Sequence, residues 1–219
     1  MPALPESDAA VFFDRFADRF DTLYDGQRNG FMRWIDRHLR SDMFVRFAWT
    51  FERMGPLEGK RVVDIGCGSG PYIVEAVRRG AAHVTGIDPA PGMLKLARER
   101  LRAAGMQDGT SLVEGLFPDI AVEPHDHAIV MGVFDYLHDP GAFLRSLCSC
   151  VRESAQVSFP SRHWFRTPVR RARYRLRNCP VFFFDAQRIE VLARDAGFGT
   201  VEIREIPGAG MDYHVCLRP

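Results

Sequence analysis

Hydrophobic positions divide the chain into two textures. Over residues 9–54 large apolar side chains recur at helical spacing: Phe12, Phe16 and Phe20, then Phe31, Trp34 and Ile35, then Phe44, Phe47 and Phe51. Gly26 and Gly30 punctuate the first break. From Lys60 the pattern changes to short β-branched runs that predict strands at Arg61–Gly66, Ala82–Asp88, Thr110–Glu114, Asp126–Gly132, Ala155–Phe159, Thr200–Ile206 and Tyr213–Leu217. Between them, apolar stripes such as Met93, Ala97, Leu101 and Ala104 predict helices at about 70–79, 92–104, 140–150 and 185–197. Strands alternating with helices imply a parallel sheet covered on both faces. Only Pro207-Gly208-Ala209-Gly210 separates the last two strands, too short a link for a parallel crossover, so these should pair antiparallel. The reading is a helical N-terminal extension over residues 1–58 followed by an α/β domain over 59–219.

Composition narrows the partners. The 219 residues carry 29 basic and 28 acidic side chains, a formal charge of +1, so no global field recruits nucleic acid or an anionic membrane. The longest strongly apolar run is Val181 to Phe184, far short of a membrane span, and Met1 to Ala10 lacks the pattern of a signal peptide. A cytoplasmic location is expected. The five cysteines are an odd, scattered set that fits a reducing compartment, and Cys148-Ser149-Cys150 lacks a second pair at zinc spacing. His125-Asp126-His127 reads as a solvated turn with no third ligand in reach, and no metal is expected.

The chemistry concentrates in Val62-Val63-Asp64-Ile65-Gly66-Cys67-Gly68-Ser69-Gly70-Pro71, a buried-strand pattern running into a glycine turn and a helix. The spacing is Gly66-x-Gly68-x-Gly70, not the Gly-x-Gly-x-x-Gly of a dinucleotide site, and Pro71 occupies the first helical position. Asp64 would repel a pyrophosphate but suits a ligand bearing an ammonium and a sulfonium. Asp88 closes the second strand in Val84-Thr85-Gly86-Ile87-Asp88-Pro89, where a carboxylate can accept two ribose hydroxyls.

Val62–Gly70, Gly86–Pro89 and Asp126–Tyr136 together resemble the nucleotide half of the class I S-adenosylmethionine-dependent methyltransferases. The resemblance covers about residues 60–160 and implies a Rossmann-like seven-stranded, mostly parallel sheet with an antiparallel last strand and helices on both faces. It implies S-adenosylmethionine as cofactor and S-adenosylhomocysteine as product. By position, Asp64, Gly66, Cys67, Gly68 and Gly70 would surround the methionine portion, Asp88 the ribose, and Pro89 and Met93 the adenine. Where the family often has an acid after the third strand, this chain has Glu114-Gly115-Leu116-Phe117-Pro118, leaving Leu116 backbone contacts and Phe117 packing for the adenine. Met131, Gly132 and Val133 would lie beneath the transferable methyl group. Asp135, Tyr136 and His138 would border the acceptor pocket as candidate catalytic groups, against the plainer reading that this loop caps the next helix.

Residues 161–180 form a basic insertion with arginines at 162, 166, 170, 171, 173, 175 and 177 and no acid among Ser161 to Asn178. In this family such an insertion commonly covers the acceptor site, so His163, Arg166 and Arg170 are substrate-binding candidates, with Tyr24 of the N-terminal lid and His214. The expectation is a methyltransferase acting on a small-molecule, anionic acceptor. Methylation of RNA by way of the basic segment is the alternative, as is a non-catalytic cofactor-binding regulator. A nicotinamide oxidoreductase stands last. The order Ser158-Phe159-Pro160, basic segment, helix, Asp195-Ala196-Gly197-Phe198 is faintly similar to porphyrin carboxyl methyltransferases.

Overall fold

The computed structural model describes residues 41–161, 182–207 and 212–219. In chain order the elements are α1 (Ser41–Met54), β1 (Arg61–Ile65), α2 (Pro71–Arg78), β2 (His83–Asp88), α3 (Pro91–Ala103), β3 (Thr110–Glu114), β4 (His125–Val130), α4 (Pro140–Cys150), β5 (Val151–Phe159), α5 (Ala186–Asp195), β6 (Thr200–Glu205) and β7 (Tyr213–Arg218). The helices expected before Ser41 and the basic insertion beyond Ser161 lie outside the described residues.

The strands form one seven-stranded sheet in the order β3-β2-β1-β4-β5-β7-β6. β7 runs antiparallel between β5 and β6, as the short final turn requires, and the pairs among β1 to β5 are parallel. Central strands buried on both faces read as continuous apolar runs, which is why Val62-Val63 and Ala128-Ile129-Val130 show no alternation. α1, α2 and α3 cover one face through Phe51, Tyr72, Ile73, Leu94 and Leu101, while α4 and α5 cover the other through Phe143, Leu144, Leu147, Ile189 and Ala193. Asp139 and Asp185 cap α4 and α5, accepting from the backbone N–H of Ala142 at 2.9 Å and Arg188 at 2.8 Å. Each such cap is worth about 1 kcal/mol. Chain direction across the sheet reverses between β1 and β4, and a crevice at the carboxyl ends of these strands is where an open α/β sheet binds ligands.

Two differences from the sequence reading have physical causes. β5 begins at Val151, four residues before the expected Ala155, because α4 ends at Cys150 and Val151 is extended at once (φ −116°, ψ 134°). The exposed Arg152-Glu153 pair disguises that start. His125 and His127 do not belong to a solvated turn: each is 2% exposed, inside β4. His125 Nδ1 lies 2.6 Å from the Glu123 carbonyl and therefore donates to it, leaving Nε2 to accept from the Thr85 hydroxyl at 3.1 Å. His127 Nδ1 meets Ser154 Oγ at 2.9 Å.

These rings carry a testable consequence. Burial lowers the pKa of His125 and His127, and burial followed by Arg53, Arg46 and Arg204 pushes His214 down to about 3. The unfolded chain therefore binds more protons than the native one below the ordinary imidazole value. Stability from these rings is whole above pH about 6.5 and is lost as pH falls through the depressed values, at up to about 1.4 kcal/mol per pH unit for each ring. The urea midpoint should drop from pH 6.5 toward pH 4, and His214→Asn should make that slope shallower; an unchanged slope would place the titration elsewhere.

Candidate functional site

The turn after β1 is built by its own backbone. Gly66 and Cys67 N–H both donate to the Ile87 carbonyl, at 2.8 and 3.0 Å, and Gly70 N–H donates to the Cys67 carbonyl at 3.0 Å. Gly66, Gly68 and Gly70 all take the left-handed conformation, with φ 73°, 53° and 77°. A Cβ on Gly66 would stand 2.5 Å from Val133 Cγ2, so this glycine lets the turn close against the loop after β4. A Cβ on Gly68 would meet no atom within 4 Å. The turn opens on free space there.

Two carboxylates sit behind it. Asp88 is 7% exposed; its Oδ2 accepts from Gly68 N–H and its Oδ1 from Ala90 N–H, both at 2.9 Å. Burial raises its pKa while those two bonds pull it down. Asp64, 2% exposed in the body of β1, has an Oδ2 with no hydrogen-bond partner. Burial first, and the Asp88 charge second, push Asp64 up to about 8. Cys67 is also buried, and burial together with Asp64 and Asp88 raises its thiol. A buried carboxylate oxygen left without a partner costs free energy that only a cation or a donor can return. The pair thus forms an unsatisfied recess at the carboxyl end of the sheet, where an incoming cation would favour the ionised form of Asp64.

Beside it, β4 ends at Val130, and Gly132 takes φ 76° with open space where a Cβ would be. Gly132 N–H donates to Ser158 Oγ at 2.8 Å, which ties this loop to β5. Met131 packs toward the α1–α2 side and Val133 toward the α4–α5 side, so the chain crosses the sheet edge between them. Asp135 is 6% exposed and its carbonyl accepts from Phe182 N–H at 2.9 Å. Tyr136 is half-buried, its N–H on the Val133 carbonyl at 3.0 Å. His138 is exposed, its ring edge-on to Phe182 at 5.0 Å. Asp139 performs the capping, which leaves Asp135, Tyr136 and His138 outside that role.

Of the other expected site residues, Pro89 is half-buried directly after Asp88, and Met93 lies 2% exposed in a small cluster with Ala90. Leu116 presents a 38% exposed side chain, whereas Phe117 packs edge-on to Phe143 at 4.9 Å within the core. His214 is fully buried beneath α1. Its Nε2 lies 3.3 Å from Thr50 Oγ1, whose own hydrogen goes to the Arg46 carbonyl at 2.8 Å. Tyr24, His163, Arg166 and Arg170 lie outside the described residues. Sequence reasoning missed Ser158 and Phe182 as the supports of the loop after β4. The polar alternation Ser154, Gln156, Ser158 along an otherwise apolar strand was the available signal for the first; nothing local marked the second.

This donor and acceptor set suits S-adenosylmethionine. The unpartnered Asp64 oxygen matches a cationic methionine portion, the Asp88 carboxylate keeps lone pairs for ribose hydroxyls beyond its two backbone bonds, and the open flank at Gly68 and Gly132 admits a ligand against the backbone. The sequence profile of the methyltransferase domain matches residues 36–203. The ubiquinone biosynthesis O-methyltransferase of Bordetella avium (strain 197N) is 29% identical over 185 residues, 78% of this chain and 73% of that protein. The protein of that name from Aeromonas salmonicida (strain A449) is 33% identical over 121 residues, 52% of this chain and about half, 48%, of its own length. Among solved structures, magnesium protoporphyrin IX methyltransferase from Synechocystis PCC 6803 with bound SAH superposes with a TM-score of 0.73 at 19% identity, covering 96% of this chain and 100% of that one. That likeness is one of fold. With the domain match running through most of the chain, on a glycine turn and carboxylate pair shaped for the ligand, the protein belongs to the methyltransferase domain family and is a class I S-adenosylmethionine-dependent methyltransferase.

Proposed function

We propose that the protein methylates an oxygen atom of a small-molecule acceptor, at a pocket bordered by Gly132, Asp135, Tyr136 and His138. The observation that carries this reading is the buried, unpartnered Asp64 oxygen facing a turn that is open at Gly68, with the Gly132 loop open beside it. The names of the ubiquinone biosynthesis relatives support an oxygen acceptor of low molecular mass. When bound, S-adenosylmethionine supplies an electrophilic methyl group on a sulfonium that leaves as a neutral thioether. Asp64 and the turn hold the cationic portion, and Asp88 takes the ribose hydroxyls. Ser158 fixes the height of Gly132, so the loop beneath the reacting atoms cannot sag, and positioning within about 3–3.5 Å is the larger part of such a displacement. A hydroxyl acceptor also needs its proton removed; in this reading the exposed His138 takes it, with Asp135 and Tyr136 orienting the acceptor. A carboxylate acceptor needs positioning alone.

The test is calorimetric titration with S-adenosylmethionine, S-adenosylhomocysteine and NAD, followed by mass spectrometry of small hydroxylated and carboxylated compounds, and of total RNA, incubated with the protein and the methyl donor. Methylation of a small compound is the expected result. Methylation of RNA alone, or binding of NAD alone, would sink the reading. Gly68→Val probes the turn: φ 53° strains any branched side chain by roughly 1–3 kcal/mol, and the valine would project into the open space. The variant should fold, by circular dichroism, and lose cofactor binding at least a hundredfold.

A further inference from the structure

On the α1 side of β5, β7 and β6, one row of cross-strand neighbours runs away from the site: Ser158 pairs with His214, and His214 with Arg204. The row begins where Ser158 holds Gly132 and ends on the outer strand. Over it lies α1, whose Arg46, Thr50 and Arg53 share a face at three- and four-residue spacing, with Trp49 beside them. Thr50 sits on the His214 ring, and Trp49 stands edge-on to the same ring at 6.1 Å. The Arg204 guanidinium rests 5.9 Å from the Trp49 ring centre.

Glu202, on the same face of β6, is already held by both Arg53 and Arg218. Glu205 falls on the opposite face of the strand by alternation. Arg204 is exposed and has no carboxylate partner among the described residues. Trp49, half-buried, adds an aromatic wall.

We propose that Arg204, resting on Trp49 between β6 and α1, forms the seat for an anionic group of the acceptor, a carboxylate or a phosphate, set well to the side of the reacting atom. Three inter-strand steps of about 4.8 Å separate β4 from β6, so the seat lies roughly 14 Å from the Gly132 loop. The acceptor class is therefore an elongated molecule with its nucleophilic oxygen at one end and an acid near the other. This deepens the small-molecule reading above and rests on it. Arginine's planar fork suits either acid, and stacking on an aromatic ring pre-orders it.

The test uses the full chain carrying Trp34→Phe and Trp164→Phe, which leaves Trp49 as the one tryptophan of the three. Its fluorescence is followed, under saturating S-adenosylhomocysteine, during titration with benzoate, its neutral methyl ester, and inorganic phosphate. Saturable quenching by benzoate or phosphate and none by the ester is expected, with benzoate and phosphate separating an aromatic acid from a simple oxyanion as the preferred occupant. Arg204→Gln should raise the dissociation constant about tenfold, the loss of one charge-assisted pair, and Arg204→Lys should recover part of it. Calorimetric affinity for S-adenosylhomocysteine should stay unchanged in both variants. Equal response to benzoate and the ester, or an unaltered Arg204→Gln titration, overturns the seat. So does loss of quenching on Arg166→Gln with Arg170→Gln while Arg204→Gln retains it. Failure of the unmutated protein to bind S-adenosylhomocysteine overturns the cofactor assignment instead, and this seat with it.

Discussion

Asp64→Asn is expected to cost at least a hundredfold in affinity for S-adenosylmethionine and, at the same time, to abolish the pH dependence of binding. In the free protein, burial and the Asp88 charge hold the Asp64 pKa up at about 8, so the group is mostly protonated at neutral pH. A cationic ligand selects the carboxylate, and binding then expels a proton. Affinity of the unmutated protein should rise with pH, approaching tenfold per unit below about 8 and levelling above it. The stability of the free protein carries the opposite sign. A carboxyl whose folded pKa is raised binds more protons folded than unfolded, so its favourable contribution is whole below the ordinary carboxylate value of 3.8 and declines as pH rises through about 8. Asn cannot ionise, so the variant should melt higher than the unmutated protein at pH 8 while binding far worse. Calorimetry across pH 6–9 and melting curves at pH 8 check both halves. A pH-independent affinity in the unmutated protein would remove Asp64 from the site.

Asp88→Ala should weaken S-adenosylmethionine binding at least tenfold and also lower stability, a different signature. Its two oxygens hold the N–H groups of Gly68 and Ala90, which anchor the glycine turn and the entry to α3. Removing the acceptor leaves both donors without their acceptor, at roughly 1–3 kcal/mol each where burial is complete. Asp88→Asn keeps one acceptor oxygen and should recover part of the stability. Urea unfolding and calorimetry on the two variants separate the structural share from the ligand's share. Undiminished affinity in Asp88→Ala would end the ribose assignment.

The strand, glycine turn and helix that carry these residues were legible in the chain because they are written in local chemistry. Asp64, the three alternating glycines and Asp88 fall within one strand–turn–helix–strand unit, and the final turn is too short to be anything but an antiparallel link. What escaped reading depends on long-range contact. Nothing near Ser158 in sequence says that its hydroxyl holds Gly132, 26 residues away, across the β4–β5 pair. His125 and His127 looked solvated because their partners, Thr85 and Ser154, come from neighbouring strands. Arg152-Glu153 looked like a loop because a strand may begin with exposed residues at the sheet's margin. Phe117, expected beside the adenine, also packs edge-on to Phe143, a contact that only the packing of α4 creates.

The bridge between Ser161 and Phe184, with Phe184 N–H on the Pro160 carbonyl at 2.8 Å, has a consequence for how the protein can change over evolutionary time. It holds Ser161 and Phe184 side by side, and the bridge itself does not depend on what the sequence between them contains. Closing a loop of twice the length costs only about 0.6 kcal/mol more. Insertions, deletions and wholesale replacement between the two fastenings therefore leave the sheet and the glycine turn nearly untouched. The sheet with its glycine turn and the stretch between Ser161 and Phe184 are in this sense separately heritable, and a lineage can exchange one while keeping the other.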